Sequence, residues 1–132
     1  MTIHAAARLG DTAAIAAALA ADPDAVRATD HIQRTALHLA AWAGQLDSVK
    51  QLCDAGADVN ALACDGVMSL HFAAQNGHQA VCKELLKRGA RVNSRDSKKQ
   101  QSALHLAALK HHVDLCEYLV KVSHLVCTSR LP

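Results

Sequence analysis

Aromatic side chains are nearly absent from this chain of 132 residues, which has one tryptophan, one tyrosine and one phenylalanine. Hydrophobic residues nevertheless make up 51% of the sequence, and much of that share is alanine. A core built around large rings is therefore excluded. The composition favours one domain of ordinary size, in which helices pack closely through small side chains.

Long apolar runs and secretion signals are also missing. The longest apolar run is far shorter than the ~20 residues that a membrane-spanning helix needs. The segment 1–11 has no basic stretch followed by an apolar one, so no signal peptide is predicted. The cysteines number five, an odd count, and most fall within helical patterns, which favours a reducing compartment. We therefore expect a cytoplasmic location, with the nucleus as a second one.

Catalytic motifs are absent as well. The sequence lacks the nucleophile elbow G-x-S-x-G, the phosphate-binding P-loop, the zinc motif H-E-x-x-H and a dinucleotide-binding fingerprint. Each of these motifs holds a nucleophile, a row of backbone N–H groups or metal ligands at the spacing that its chemistry requires. We therefore predict a protein that is not an enzyme and that uses no cofactor.

The small net charge of +2 conceals an asymmetry along the chain. Residues 1–66 carry four basic and eight acidic side chains, a net charge of −4. Residues 67–132 carry ten basic and four acidic side chains, a net charge of +6. The basic run from Arg88 to Lys99 suits an acidic protein better than nucleic acid, because no aromatic side chain lies between the charges. A loop that is simply solvated is the alternative interpretation.

Internal repetition is the dominant feature of the sequence. The segment 35–60 reads T-A-L-H-L-A-A-W-A-G-Q-L-D-S-V-K-Q-L-C-D-A-G-A-D-V-N, and the same order of residues returns from Ser69 and from Ser102. Marker histidines recur at spacings of 34, 33 and 34 residues, at His4, His38, His71 and His105. A fixed period of this length indicates an array of stacked repeats. One helix pair cannot bury its apolar face alone, so neighbouring repeats must cover it.

Each repeat is predicted to contain two helices and a loop. Thr35 stands at the N-cap of a first helix, where its hydroxyl can accept a backbone N–H. Gly44 lies between the two helices, where a positive φ is favourable only without a Cβ. Repeat three has Met68 at the cap position, so either Ser69 caps the helix or the cap is lost. Repeat four has His111 in the place of Gly44, at a cost in backbone energy.

These motifs resemble the ankyrin repeat, whose first helix carries the signature T-P-L-H-x-A. Here the signature reads T-A-L-H-L-A, M-S-L-H-F-A and S-A-L-H-L-A, with the degenerate M-T-I-H-A-A at the start. The proline of the signature is absent from all copies. The resemblance covers residues 1–121 and divides them into repeats of about 1–28, 29–61, 62–94 and 95–121, followed by a short tail, 122–132.

The resemblance implies an all-α solenoid of stacked antiparallel helix pairs, with loops that project as β-hairpin fingers. It also implies a concave surface of fingertips and first helices that binds another protein. The expected function is a non-catalytic interaction module, acting as an adaptor or scaffold. The alternative is a regulatory or substrate-recruiting part of a larger ankyrin-containing protein, such as an enzyme or a channel.

The candidate contact residues are positions that vary between constant neighbours. Trp42 is the most informative, because it lies in a two-residue slot before the inter-helix glycine and that slot differs in every copy. A tryptophan there would anchor a protein interface, unless it only packs over a neighbouring finger. The predicted partner-binding residues are His31, Ile32, Arg34, Trp42, Cys64, Val67, Gln75, Asn76, Lys98, Leu109 and Lys110.

The histidines raise the question of a metal site. His112 and Cys116 are one helical turn apart, which suits zinc, but two further ligands are missing. The signature histidines and His78 are instead interpreted as scaffold residues that form hydrogen bonds, because the resemblance gives them that role. We therefore expect no metal.

Asn60 is a candidate for modification. Leu52 lies eight residues before it, and Asp58 and Val59 directly precede it. By resemblance to the family, this pattern predicts hydroxylation by an asparaginyl hydroxylase, at Asn60 before Asn93. The alternative is that both amides only bond the loop backbone.

The last repeat has an unusual apolar character. Its second helix is expected to present an outer face formed by Leu115, Tyr118, Leu119, Val120 and Val122. A terminal repeat normally carries a polar outer face. The sequence therefore predicts self-association, or binding of a cap, through the C-terminal repeat.

Overall fold

The computed structural model describes residues 2–129, with side chains for residues 2–122. Within this range the chain forms helices in pairs and no β-strand, which confirms the all-α fold class. The α-helices are α1 Ile3–Leu9, α2 Thr12–Ala21, α3 Ala36–Ala43, α4 Leu46–Asp54, α5 Ser69–Gln75, α6 Gln79–Lys87, α7 Ala103–Leu109 and α8 Val113–Ser129. Two short 3-10 turns lie at Pro23–Arg27 and Cys64–Gly66.

The helix pairs stack in two layers. First helices of successive repeats pack side by side, α1 on α3, α3 on α5 and α5 on α7, while α2, α4 and α6 form the second layer. Alanines permit the close approach of the first helices, and the most deeply buried include Ala6, Ala40, Ala73 and Ala107. Ile15, Leu52 and Leu85 from the second helices complete the core. Close packing of small side chains thus replaces large aromatic ones.

In repeats one to three a histidine joins the first helix to the loop that follows the second helix. In repeat two the backbone N–H of Thr35 donates to Nδ1 of His38 at 3.0 Å, and the Thr35 hydroxyl lies 2.9 Å from the same nitrogen. Nε2 of His38 donates to the carbonyls of Ala61 and Val67 in the following loop, at 3.0 and 3.2 Å. The scaffold role predicted for this histidine is therefore what the structure shows.

Repeat three lacks a hydroxyl at its cap. Met68 occupies the N-cap position, and its backbone N–H donates to Nδ1 of His71 at 2.9 Å. Ser69 is the first residue of α5. Its hydroxyl oxygen is buried and has no hydrogen-bond partner within the described part of the chain. Of the two alternatives that the sequence left open, the cap is lost.

We expect Ser69→Ala to raise the free energy of unfolding by about 1 kcal/mol. Burial removes the Ser69 hydroxyl from water, and no hydrogen bond within the protein replaces the lost hydration. Ala36 and Ala103 occupy the same position in repeats two and four and are fully buried, so alanine fits. Urea denaturation measures the difference. The matched control is Ser102→Ala, which removes a hydroxyl 2.8 Å from Nδ1 of His105 and should lower stability. A destabilised Ser69→Ala variant would contradict the interpretation.

The loops between repeats form three hairpin turns: finger 1 (29–34), finger 2 (62–67) and finger 3 (95–101). A backbone hydrogen bond closes the base of each finger, from Asp30 to Arg34, from Ala63 to Val67 and from Asp96 to Gln101. Neighbouring fingertips are joined by bonds from Cys64 N–H to the Ile32 carbonyl and from Ser97 N–H to the Asp65 carbonyl. The predicted β-hairpins are therefore tight turns, because so few residues pair that the described loops contain no strand.

Helix α8 is longer than the other second helices, with 17 residues against 9 in α4 and in α6. Gly56 and Gly89 follow the ends of α4 and α6, but no glycine stands at the corresponding place in repeat four. The helix consequently crosses the boundary that the sequence placed between residues 121 and 122. Within residues 2–129, none of the helices combines the length and the apolar composition that a membrane span requires.

The outer face expected for the last repeat needs correction. Leu115 and Leu119 are only 2% and 0% exposed, because they pack into the core that the preceding repeats share. Among the side chains of α8 that the structure describes, up to residue 122, the exposed large apolar ones are Val113 and Val120, at 64% and 53%. Val120 of the predicted apolar face is thus exposed, whereas Leu115 and Leu119 are buried and the exposed Val113 was not predicted. Self-association through this repeat stays a prediction.

Candidate protein-binding surface

The predicted contact residues lie at the C-terminal ends of the first helices and on the fingers. Their exposure divides them into two groups. The exposed ones are His31, Ile32, Trp42, Cys64, Asn76, Lys98, Leu109 and Lys110, and the half-buried ones are Arg34, Val67 and Gln75. The carbonyls of Val67 and Gln75 accept bonds from His38 and His112. These two residues therefore also hold the repeats together.

Trp42 borders a groove of about 300 Å³ between the first helices and finger 1. The following repeat fixes its backbone, because Nδ2 of Asn76 and Nε2 of His78 donate to the Trp42 carbonyl at 2.8 and 3.0 Å. The side chain is 47% exposed. Trp42 thus presents a large apolar surface from a fixed position, and finger 1 does not cover it. The walls of this groove include His4, Arg8, Asp30, Arg34, Leu39 and Trp42.

An ion pair shapes the finger side of the groove. Oδ1 of Asp30 accepts the backbone N–H groups of Ile32 and Arg34 at 2.9 and 2.8 Å, and Oδ2 lies 2.9 Å from Nε of Arg34. Burial raises the pKa of the Asp30 carboxyl, but these hydrogen bonds and the charge of Arg34 outweigh it and lower the pKa to about 2. The carboxylate therefore stays ionised and holds the Arg34 guanidinium in one orientation.

Three ionisable residues of the groove, Arg8, His4 and Asp30, were not among the predicted contact residues. Arg8 lies in the same slot of repeat one as Trp42 in repeat two, and that equivalence was a usable signal. His4 and Asp30 gave no such signal. Nε2 of His4 donates to the carbonyls of Ala28 and Arg34, at 3.1 and 3.0 Å. These bonds join residues 24 and 30 positions apart in the sequence, and they form only because finger 1 folds back over α1.

Finger 3 carries the exposed basic charge that the sequence predicted. Oδ1 of Asp96 accepts the backbone N–H groups of Lys99 and Gln101 at 3.1 and 3.0 Å, which fixes the turn. Burial raises the pKa of Asp96, but these bonds outweigh it and lower the pKa. Lys98 and Lys99 extend from this turn, and neither forms an ion pair among the described residues. The charge of finger 3 is therefore available to a partner.

Arg88, at the start of the basic run, serves a different purpose. Its guanidinium lies 2.8 Å from Asp54 and 3.4 Å from Glu84, on the second-helix layer. The bond to Asp54 links repeats two and three, and both bonds raise the pKa of Arg88, with the hydrogen bond to Asp54 as the largest cause. Arg88 therefore belongs to the scaffold, whereas the lysines of finger 3 do not.

The histidine and the cysteine considered for zinc are placed in the scaffold. Nε2 of His112 bonds the Gln75 carbonyl at 3.1 Å, and Cys116 is half-buried against the core. Within the described residues no group of three or more histidine, cysteine or acidic side chains is arranged to hold a metal ion. Cys82 is fully buried, and burial raises the pKa of its thiol to about 12. This cysteine is therefore an apolar core residue.

Asn60 bonds the base of the next loop at both ends of its amide. Nδ2 donates to the Gly89 carbonyl at 3.2 Å, and Oδ1 accepts the backbone N–H of Arg91 at 3.0 Å. Its own N–H donates to Oδ1 of Asp58 at 2.9 Å. The amide thus connects repeats two and three. Hydroxylation of Asn60 stays a prediction.

Stacked helix pairs, turns that project as fingers and histidines that bridge successive repeats define a solenoid of the helical repeat class. The chain belongs to the ankyrin-repeat family. A family model described as ankyrin repeats, three copies, matches residues 1–63 and 62–128. Ankyrin repeats are protein-interaction modules that carry no catalytic machinery of their own.

Similar chains occur within much longer proteins. The chain is 39% identical over 116 residues to the "Probable E3 ubiquitin-protein ligase XBOS31" of Oryza sativa subsp. japonica, which covers 87% of this chain and 26% of that protein. It is 31% identical over 118 residues to the "Transient receptor potential cation channel subfamily A member 1 homolog" of Caenorhabditis elegans, covering 89% of this chain and 10% of the channel. A match of 38% over 89 residues to the "E3 ubiquitin-protein ligase Ufd4" of Drosophila melanogaster spans 3% of that ligase. The chain therefore corresponds to about a quarter or less of each of these relatives.

Proposed function

We propose that this chain is a non-catalytic adaptor that holds one partner protein against its fingers and the ends of its first helices. The observation that carries the proposal is the position of Trp42. A tryptophan is the residue type most enriched among energetic anchors of interfaces, and here it is 47% exposed beside a groove. Its backbone is fixed by two hydrogen bonds from the following repeat, so little order has to be created on binding.

An acidic partner fits the charges of this surface. Lys98 and Lys99 project from finger 3, and Arg8 and Arg34 line the groove at the other end of the array. Charges of this kind, at the rim of an interface, act mainly by steering the encounter and by making it sensitive to salt. An adaptor of this kind works in the cytoplasm, with the nucleus as a second location.

A second candidate function is recruitment of a substrate or regulation within a larger protein. The relatives favour it, because two are named as ubiquitin ligases and one as a channel, and this chain corresponds to a small share of each. In that case the same surface would bring a partner to an activity located elsewhere. Sequencing the full-length transcript separates the two functions, since only the second requires a further functional domain in the same polypeptide.

We expect Trp42→Ala to weaken binding of a partner by about 2 kcal/mol or more, roughly thirtyfold, as for a central aromatic anchor. The stability should change little, because Trp42 is 47% exposed and does not belong to the buried core. The measurement is quantitative capture of cell proteins by the wild type and the variant, followed by titration of each purified partner. Val113→Ala is the matched control, because it removes an apolar side chain that is 64% exposed on the last repeat.

Two outcomes would contradict the proposed binding surface. A Trp42→Ala variant that loses much of its thermal stability but keeps its partners would show that the indole supports the fold. A partner lost equally from the Val113→Ala variant would move the binding surface to the C-terminal repeat. A partner that depends on Trp42 alone supports the proposed surface.

A further inference from the structure

The groove beside Trp42 contains more positive than negative charge. Two guanidinium groups, those of Arg8 and Arg34, share it with the single carboxylate of Asp30. Every oxygen of that carboxylate is already engaged, Oδ1 by two backbone N–H groups and Oδ2 by Nε of Arg34. One net positive charge thus remains without a partner in the groove.

The guanidinium groups still have donors to offer. Arginine has five N–H groups, and Arg34 uses its Nε–H for Asp30. Its terminal Nη groups make no hydrogen bond within the described residues. Arg8 is exposed and forms no ion pair among them. A carboxylate matches such paired donors in geometry, and bonds between the two charged groups are shorter and stronger than neutral ones.

Two large apolar side chains also line the groove. They are Leu39, with 8% of its surface exposed, and Trp42, with 47%. A ligand that places a carboxylate on the arginines therefore also brings an apolar group against the indole. In an extended peptide, successive side chains point to opposite sides and lie about 3.3 Å apart along the chain. An acidic residue with an apolar residue close to it in sequence therefore suits both the arginines and the apolar lining.

We propose that this groove binds an acidic segment of the partner protein, with an aspartate or glutamate carboxylate on Arg8 and Arg34 and a neighbouring apolar side chain on Trp42. This inference rests on the proposed function and adds the chemistry of the ligand. A carboxylate is favoured over a phosphate, because a monoanion matches the one net positive charge of the groove, whereas a dianion would leave one negative charge without a partner beside Asp30.

The single tryptophan of the chain makes the test direct, since all tryptophan emission comes from Trp42. The probe is the blocked peptide acetyl-Gly-Leu-Glu-Leu-Glu-Leu-Gly-amide, compared with the peptide in which both glutamates are glutamine. We expect the acidic peptide to change the emission saturably and to bind at least tenfold more tightly than its glutamine counterpart. The affinity should fall as salt is added, because the pair is solvent-accessible. A phosphoserine version should bind no better than the acidic peptide.

Charge variants locate the site. Arg8→Gln should weaken binding of the acidic peptide about tenfold and leave the glutamine peptide unaffected. Arg34→Gln should do the same, and circular dichroism shows whether finger 1 and the array remain folded. The matched control removes two positive charges elsewhere, Lys50→Gln with Lys87→Gln on the second helices, and should change the affinity less than twofold.

Three outcomes would overturn the inference: equal binding of the acidic and glutamine peptides, tighter binding of the phosphoserine peptide, or an equal loss in the Lys50 and Lys87 control. None of them would affect the proposed function, which depends on a partner protein that is lost with Trp42→Ala. If such a partner exists and the acidic peptide does not bind, the surface is correct and its ligand chemistry is different.

Discussion

The free energy of unfolding is expected to fall steeply as the pH drops below about 6.5, because His38 and His71 must be neutral in the folded protein. Nδ1 of each imidazole accepts a backbone N–H, from Thr35 and from Met68, and Nε2 of each donates to a carbonyl. A proton added to Nδ1 would point at an N–H group. Burial is the largest cause that lowers the pKa of both side chains, and it outweighs the hydrogen bonds from Nε2.

The direction of the effect follows from proton linkage. The unfolded chain has histidine pKa values near 6.5 and therefore binds these protons at a higher pH than the folded chain does. The stability contributed by the neutral imidazoles is complete above pH 6.5 and is lost as the pH falls toward the lowered pKa values of the folded protein. Each histidine contributes up to ~1.4 kcal/mol per pH unit in that window. Together they make the array markedly sensitive to mild acid.

Urea denaturation at about pH 7.5, 6 and 5 measures this slope. His31→Gln is the control, because His31 lies exposed on finger 1 and its removal should leave the slope unchanged. His71→Gln keeps a donor for the Ser94 carbonyl and should reduce the slope by about half. A free energy of unfolding that stays constant from pH 7.5 to 5 would show that neither imidazole needs to be neutral.

The fold was predictable from the sequence because its decisive signals are local and recur. The histidine period located the repeats, and the register placed His111 in the position of Gly44 and Gly77. The structure indeed gives His111 a positive φ of 60°. The register also aligns Leu119 with Leu52 and Leu85, all of which are buried. The expectation of an exposed Leu119 was wrong because burial in a terminal repeat comes from the repeat before it.

The groove was predictable only in part, because it is made by contacts between distant segments. The variable slot indicated Trp42, which is exposed as predicted. The pairing of Arg34 with Asp30 depends on the turn geometry of finger 1, where Asp30 accepts two backbone N–H groups. The repeat pattern does not predict this turn. Fingers 1 and 3 have Asp30 and Asp96 at the base of the turn, whereas finger 2 has Ala63 there.

We expect Gly77→Ala, at the interface between repeats three and four, to lower the free energy of unfolding strongly. Gly77 has φ +73°, which costs an L-residue about 1–2 kcal/mol. A Cβ there would also lie 2.7 Å from the imidazole of His112. Displacing that ring breaks its 3.1 Å bond to the Gln75 carbonyl, a further loss of about 1 kcal/mol. We therefore expect the variant to lose about 2–3 kcal/mol of stability.

A double-mutant cycle separates backbone strain from the clash, since the coupling of two residues in contact appears as non-additivity. In the His112→Ala background, Gly77→Ala should cost only the strain, because the imidazole is gone. Gly89→Ala is the control for strain alone, since Gly89 has φ +99° and nothing within 4 Å of its added Cβ. Additive costs of Gly77→Ala and His112→Ala would refute the clash.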